Sequence, residues 1–210
     1  MLCANAKAEY HRKFMAHLAP LAKESSPELA EEFARFEKIL GFIPNSLLTM
    51  QRKPAMVKGF GLLTQAVMSD DGEVDLGFKR LLAYFASRAA GCQYCEAHSL
   101  IAAKIHGIAD DKVAAVWEYQ SSDLYSEAER VALDYALAAG SVPNAVDTPL
   151  MERMKTHWSE KEIVEILGAI CLYGFLNRWN DSMATDLEAA PKALGEEVLA
   201  KGGWTGGKHI

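Results

Sequence analysis

Apolar side chains recur at every third or fourth position along most of this 210-residue chain. No stretch shows the sustained alternation of apolar and polar residues that indicates a half-buried strand. Half of the residues are hydrophobic and 24% are charged, a composition typical of a globular protein. A chain of this length buries a core without metal or disulfide staples. The pattern therefore predicts an all-α protein of about eight to ten helices.

Caps and breakers locate several predicted helix ends. Gly41 follows an apolar periodic segment and indicates the end of a helix there. Two capping boxes, in which a serine precedes a glutamate by three residues, predict the starts of two later helices. These boxes are Ser126-x-x-Glu129 and Ser159-x-x-Glu162.

No low-complexity linker divides the chain, so one helical domain is expected over residues 25–190. Residues 1–24 then form an N-terminal extension and residues 191–210 a C-terminal tail. Glycine pairs on both sides of Trp204 predict that this tail is flexible.

Charge and hydrophobicity limit the partners of the protein. The net charge is −6 and no block of lysine or arginine occurs, which argues against nucleic acid or an anionic membrane surface as a main partner. The most apolar run, residues 163–176, is too short to span a bilayer and predicts a core helix or a subunit-interface helix. The N-terminus lacks the apolar segment of a secretory signal, so a cytoplasmic protein with reduced thiols is expected.

A Cys-x-x-Cys pair at a predicted helix start is the main chemical signal. Residues three apart on a helix lie about 60° apart around its axis, so the sulfurs of Cys92 and Cys95 can approach disulfide geometry. Unpaired N–H groups and the helix dipole stabilise a thiolate at such a position, which favours a lower pKa for Cys92. His98 and Ser99 follow Cys95 by three and four residues, and His98 could donate or accept a proton there.

Other interpretations of the two cysteines stay open. They could be ordinary buried residues, or two ligands of a zinc site, although no further pair with ligand spacing follows them. A c-type haem site needs histidine directly after the second cysteine, where Glu96 stands. Thioredoxin-like chemistry needs a βαβ context that the pattern lacks.

The remaining reactive side chains are predicted to have structural roles. Cys171 lies within the apolar run and is predicted to be a core residue, and Cys3 lies near a frayed end. Five histidines without ligand spacing are predicted to be surface or capping residues: His11, His17, His106, His157 and His209. A polar stripe is predicted to be a solvated edge or an interface network, and it comprises Tyr173, Asn177, Arg178 and Asp181.

Three stretches within roughly residues 28–188 together resemble the carboxymuconolactone decarboxylase-like superfamily, and in particular its alkylhydroperoxidase-D-like, peroxidase-related branch. The first is Gly41-Phe42-Ile43-Pro44-Asn45-Ser46 with Arg52-Lys53-Pro54. The second is Gly91-Cys92-Gln93-Tyr94-Cys95-Glu96-Ala97-His98. The third runs from Ser126-x-x-Glu129 to Phe175-Leu176-Asn177-Arg178 and Asp181.

The resemblance implies an all-helical AhpD-like fold with a duplicated helical unit, assembled as a homo-oligomer. It implies a thiol peroxidase that reduces a small hydroperoxide while Cys92 and Cys95 cycle between dithiol and disulfide. A dithiol or thiol would be the reductant, with neither cofactor nor metal. In the family the second cysteine, here Cys95, attacks the peroxide and the first resolves the product, whereas the helix dipole favours Cys92. Both therefore stand as catalytic candidates, together with His98, and Tyr94 matches a tyrosine that the family places between the cysteines.

The chain departs from the family pattern at two relay positions. Arg80 stands twelve residues before Cys92, where the family often has glutamate, and a guanidinium is a poor proton acceptor. Ser99 stands where the peroxidases often have histidine, although His98 lies one residue earlier. Arg80, Tyr94 and Ser99 are therefore supporting candidates.

The missing relay acid has two candidates in the sequence, Glu73 and Glu96. Two other functions stay open beside the peroxidase. One is a non-catalytic, redox-responsive oligomer, and the other is a decarboxylase- or isomerase-type enzyme that uses His98 as its base.

Overall fold

The computed structural model describes residues 16–210, and Cys3 and His11 lie outside the described residues. Within residues 16–210 the chain forms α-helices and short 3-10 or π turns without a strand, which confirms the all-α prediction. The α-helices are α1 (Ala30–Leu40), α2 (Asn45–Met50), α3 (Pro54–Val67), α4 (Leu76–Ala90), α5 (Gln93–Ile105), α6 (Asp110–Ala114), α7 (Glu127–Gly140), α8 (Thr148–His157), α9 (Glu160–Met183) and α10 (Ala189–Leu194).

Helix ends predicted from local sequence are confirmed by backbone geometry and hydrogen bonds. Ser126 and Ser159 accept the backbone N–H of Glu129 and Glu162, whose carboxylates bond back to the N-cap backbone. Gly41 ends α1 with φ of 80°, a left-handed conformation that favours glycine.

Helix α4 lies in the middle of the molecule and positions the site. Ten of its fifteen residues are buried, and it packs against α5, α7 and α9. Helix α5, which begins at the cysteine pair, lies between α4, α9 and α10. The cysteines therefore belong to a buried cluster of side chains: Met68, Ala83, Cys92, Tyr94, Cys95, Ala169, Leu172 and Tyr173.

A buried ion pair joins α4 to α9. Lys79 is 1% exposed, and its Nζ lies 2.8 Å from Glu165 Oε2. Glu165 also accepts the backbone N–H groups of Glu73 and Val74. Burial alone would raise the pKa of Glu165, but these bonds and the Lys79 charge lower it to about 2. The pair fixes the loop that leads into α4.

The C-terminal segment packs against the domain, so the prediction of a flexible tail is wrong. Trp204 is 5% exposed, and its indole N–H donates to the Gln93 carbonyl at 3.0 Å. The glycines permit close packing here, because a Cβ on Gly202 would overlap the ring of Trp117. His209, predicted to be a surface or capping residue, is buried with Nδ1 2.8 Å from the Thr185 carbonyl oxygen.

Helix α9 is apolar on two opposite sides. One side contributes Ile166, Ala169 and Ile170 to the core. The other side exposes an apolar stripe that consists of Val164, Leu167, Cys171 and Phe175. Cys171 is therefore exposed, and the prediction that it is a core residue is wrong, because the run of apolar residues covers both sides of the helix. Among the described residues no helix is both long and apolar enough to cross a membrane.

Candidate active site

The cysteine pair occupies the first turn of α5. Cys92 is the N-cap residue, with extended backbone at φ −89° and ψ 94°, and Cys95 lies in the first helical turn. Both are free thiols, and they are 0% and 1% exposed. The predicted helix start is thus shifted by one residue, and the argument from the helix dipole for Cys92 stays a prediction.

Cys95 lines a cavity of about 60 Å³, whereas Cys92 does not. Asn180 from α9 donates a hydrogen bond from Nδ2 to Cys95 Sγ at 3.4 Å. The other walls are mostly apolar and aromatic, and they include Phe36, Leu40, Leu47, Phe60, Leu172 and Leu176. A small molecule in this cavity would therefore meet the sulfur of Cys95 before that of Cys92.

Cys95 is a protonated thiol at rest. Burial raises the pKa of Cys95 well above its usual range, and the adjoining Cys92 thiol raises it further. The hydrogen bond from Asn180 acts in the opposite direction and is outweighed. Since the thiolate is the nucleophile, chemistry at Cys95 requires a nearby base that accepts its proton.

A histidine held by a buried carboxylate lies beside the same cavity. His98 lines the cavity, and its Nε2 lies 2.5 Å from Glu188 Oε2. Tyr94 donates its hydroxyl to Glu188 Oε1 at 2.9 Å and stacks on His98 with ring centroids 4.2 Å apart. When Nε2–H donates to Glu188, neutral His98 keeps Nδ1 as a proton acceptor.

Glu188 is ionised in this environment. Burial alone would raise the pKa of Glu188, but the hydrogen bonds from His98 and from the backbone N–H of Asn45, together with the positive charge that His98 carries when it is protonated, lower the pKa below its usual value. A carboxylate at this place orients the imidazole of His98.

Sequence reasoning missed Glu188. Glu73, one of the two candidates, instead pairs with Lys161 at the surface at 2.9 Å. Glu188 lies 90 positions after His98, so no local spacing connects the two residues. Asn180 was missed for the same reason.

The supporting candidates divide between the cavity and the core. Arg80 lines the cavity, and its Nη1 donates to the hydroxyl of Tyr173 at 3.2 Å. Tyr173 is buried and lines the cavity, so its assignment to a solvated edge is wrong. Ser99 is fully buried and donates to the Cys95 carbonyl within α5 at 2.6 Å, which places it behind the cavity wall.

Glu96 lies buried near Arg88, on the side of α5 that faces α4. Burial raises the pKa of Glu96 to about 7, although the charge of Arg88 opposes the shift. Glu96 does not line the cavity and does not take the place of the relay acid.

Among residues 16–210, no three histidine, cysteine, aspartate or glutamate side chains converge in a way that could bind a metal ion. The two cysteines therefore have no further zinc ligands in the part of the chain that the structure describes.

Comparisons with known proteins assign the family. Residues 54–138 match the carboxymuconolactone decarboxylase family. The debrominase Bmp8, in its apo form and as a cysteine-to-alanine variant in complex with 2,3,4-tribromopyrrole, is 36% identical. The match covers 87% of this chain and 97% of that chain, with TM-scores of 0.81 and 0.82 respectively. The chain therefore belongs to the carboxymuconolactone decarboxylase-like superfamily.

The fold is AhpD-like, as the sequence predicted. The alkylhydroperoxidase AhpD core of an uncharacterized peroxidase-related protein from Ralstonia eutropha JMP134 is 19% identical, with a TM-score of 0.66 over 79% of this chain and 87% of that chain. The uncharacterized protein YnjA of Escherichia coli (strain K12) is 34% identical over 93 residues, or 44% of this chain. The matched part spans half the length of that relative.

The raised pKa of Glu96 predicts a pH-dependent loss of stability. The unfolded chain releases this proton near pH 4.5, but the folded protein holds it to about pH 7, so the free energy of unfolding decreases as the pH rises between these values. Glu96→Gln removes the ionisation. We expect the variant to be more stable than wild type by on the order of 2 kcal/mol at pH 8 and nearly equal to it at pH 4.5.

Urea denaturation at both pH values measures this difference. Glu197→Gln, at an exposed glutamate, is the matched control. The difference in stability between this variant and wild type should be the same at both pH values. A stability difference for Glu96→Gln that is the same at pH 4.5 and pH 8 would contradict the assignment.

Proposed function

We propose that this protein is a dithiol oxidoreductase that reduces a small, largely apolar molecule at Cys95 and then forms a disulfide with Cys92. One observation carries the proposal: Cys95 faces a cavity that it shares with His98, and a buried, ionised Glu188 holds His98. A nucleophile, a base and an orienting carboxylate are the minimum set for activating a protonated thiol.

With a hydroperoxide as the oxidant, the cycle balances as follows. His98 accepts the Cys95 proton, and the thiolate attacks the terminal peroxide oxygen as the O–O bond breaks. The alcohol leaves with the proton from His98, and Cys95 becomes a sulfenic acid. Cys92 then attacks this sulfur and releases water as the disulfide forms.

A second candidate substrate is a brominated aromatic compound. Bmp8 is named a debrominase, it is 36% identical, and the match covers 97% of that chain. Replacement of a carbon–bromine bond by carbon–hydrogen consumes two electrons and one proton and releases bromide. Oxidation of two thiols to a disulfide supplies two electrons and two protons. The dithiol therefore supplies both electrons and the proton that the ring needs, and the second proton leaves through the same histidine with bromide as the anion. The aromatic and leucine side chains of the cavity suit a flat apolar ring.

The disulfide needs an external thiol or dithiol to return to the reduced state. Because the sulfur of Cys95 lines the cavity, we propose that a small thiol enters the cavity, attacks Cys95 and expels Cys92.

We also propose the cytoplasm as the compartment, because its thiol pool keeps such a pair reduced.

Cysteine variants test the cycle. Cys95→Ser should lower peroxide consumption and bromide release to the uncatalysed rate, because the serine hydroxyl does not supply the electrons. Without dithiothreitol, Cys92→Ser should consume one peroxide per chain and stop at the Cys95 sulfenic acid and not at the disulfide, since no resolving thiol remains. Cumene hydroperoxide, a brominated pyrrole and dithiothreitol are the reagents, and remaining peroxide and released bromide are measured.

Cys171→Ser is the matched control, because Cys171 is exposed on the outer side of α9 and should leave both rates unchanged. Activity that survives in Cys95→Ser would overturn the thiol cycle and would favour the alternative in which His98 acts alone. A disulfide that forms without turnover of either substrate would favour the redox-responsive oligomer.

The role of Glu188 has its own test. Glu188→Gln keeps the size of the side chain but removes the negative charge that His98 contacts. We expect kcat/KM to fall by about 10- to 100-fold, as for other carboxylates that orient a functional histidine. Glu73→Gln, at a surface carboxylate, should keep the wild-type value. Equal losses in both variants would refute a specific role for Glu188.

We also propose that the protein is a homo-oligomer in which a second copy covers the exposed apolar stripe of α9. Val164 is 71% exposed, Phe175 41% and Leu167 37%. Contiguous apolar surface of this kind marks protein interfaces.

Leu167→Glu should shift the protein to a smaller species in size-exclusion chromatography with light scattering, whereas Leu63→Glu, at a 50% exposed residue of α3, should not. A wild-type monomer would refute the proposal.

A further inference from the structure

Arg80 stands between the cavity at Cys95 and a larger vestibule of about 680 Å³. Arg80, Thr64, His98 and Tyr173 line both spaces, so the two adjoin at these residues. A molecule that reaches Cys95 through the vestibule therefore passes the Arg80 guanidinium.

The guanidinium of Arg80 is a poorly compensated charge. Of its five N–H bonds, one donates to the Tyr173 hydroxyl, while Nε is covered by protein and has no partner. Within residues 16–210 no carboxylate oxygen lies within 4.0 Å of it. Its neighbour in sequence, Lys79, is buried and has Glu165 at 2.8 Å. Arg80 is only partly buried, but its covered Nε and its lack of a carboxylate partner leave its charge without a matching anion.

The polar groups next to Arg80 do not supply a buried negative charge that would neutralise it. Thr64 Oγ1 is buried and makes no hydrogen bond. His106 lines the vestibule beside Arg80, and its pKa is lowered by burial and by the Arg80 charge. Asp70 and Asp71 line the vestibule as well, but both are exposed to solvent. Arg80 therefore brings a positive charge without a carboxylate partner to the inner part of the passage.

We propose that Arg80, together with Thr64 and Tyr173, forms a subsite for an ionised acidic group, such as a carboxylate, on the molecule that reacts at Cys95. The guanidinium binds an anionic oxygen through its free N–H bonds, and the two hydroxyls add hydrogen bonds. The inference rests on the proposed function and narrows it to small organic anions with an apolar body that extends to Cys95.

This subsite explains the departure from the family pattern at position 80. A glutamate there would repel an anion and could relay a proton, whereas an arginine attracts an anion and cannot act as a base at neutral pH. Glu188 supplies the carboxylate contact to His98 in this chain, so position 80 is available for binding.

Alkylation of Cys95 by two reagents of similar size tests the subsite without any need for turnover. Iodoacetate carries a carboxylate and iodoacetamide is neutral. The rate at Cys95 is followed in the reduced protein by mass spectrometry of its peptide, and free N-acetylcysteine serves as the reference thiol. We expect the ratio of the iodoacetate rate to the iodoacetamide rate to be about tenfold higher at Cys95 than at N-acetylcysteine.

Arg80→Gln should lower the ratio at Cys95 to that of the reference thiol, and Arg80→Lys should keep most of the excess because the charge remains. Thr64→Val should cause a smaller decrease. A ratio at Cys95 that is unchanged in Arg80→Gln would overturn the subsite while leaving the dithiol proposal intact. The proposed function fails separately, if the wild-type protein neither consumes peroxide nor releases bromide.

A measurement on the wild-type protein covers the case in which Arg80→Gln does not fold. Benzoate should slow the modification of Cys95 by iodoacetamide, whereas benzamide, its neutral counterpart, should have little effect. Equal protection by benzoate and benzamide would overturn the anion subsite.

Discussion

A single buried carboxylate joins the parts of this site. Glu188 accepts hydrogen bonds from the backbone of Asn45 and the hydroxyl of Tyr94, and it contacts the imidazole of His98. These donors come from the start of α2 and from the helix that carries the cysteines, while Glu188 follows α9. Because a buried charge is stable only when its hydrogen bonds are made, all three segments must be in place together. The geometry around Cys95 therefore depends on packing at the level of the whole domain.

Burial and a few charged side chains determine the electrostatics of the site. Cys95 lies in an apolar cluster in which burial raises its pKa, so the resting sulfur is protected as a thiol. The pKa of Glu188 is lowered, and its carboxylate orients the His98 imidazole that we propose accepts the thiol proton. Arg80 adds positive charge to the wall of the same cavity. Different side chains thus accept the proton and, as we infer, bind the substrate.

Local signals in the sequence predicted much of the fold. The capping boxes at Ser126 and Ser159 and the helix start near Cys92 depend on residues within one helical turn, and the structure places each of them within one position. Local signals could not predict Glu188 and Asn180, because these residues contact α5 from 90 and 85 positions further along the chain. The error at Cys171 has a related cause: a run of apolar residues indicates a helix but does not indicate which side faces the core.

The packing of the C-terminal segment has a consequence for biosynthesis. During translation the cysteine helix emerges long before Glu188, and before Trp204, which closes over the start of that helix. A nascent chain that ends within α9 lacks the carboxylate that orients His98, and its thiols have no assembled proton acceptor. The order of synthesis therefore delays assembly of the proton acceptor beside Cys95 until residues 184–210 have docked.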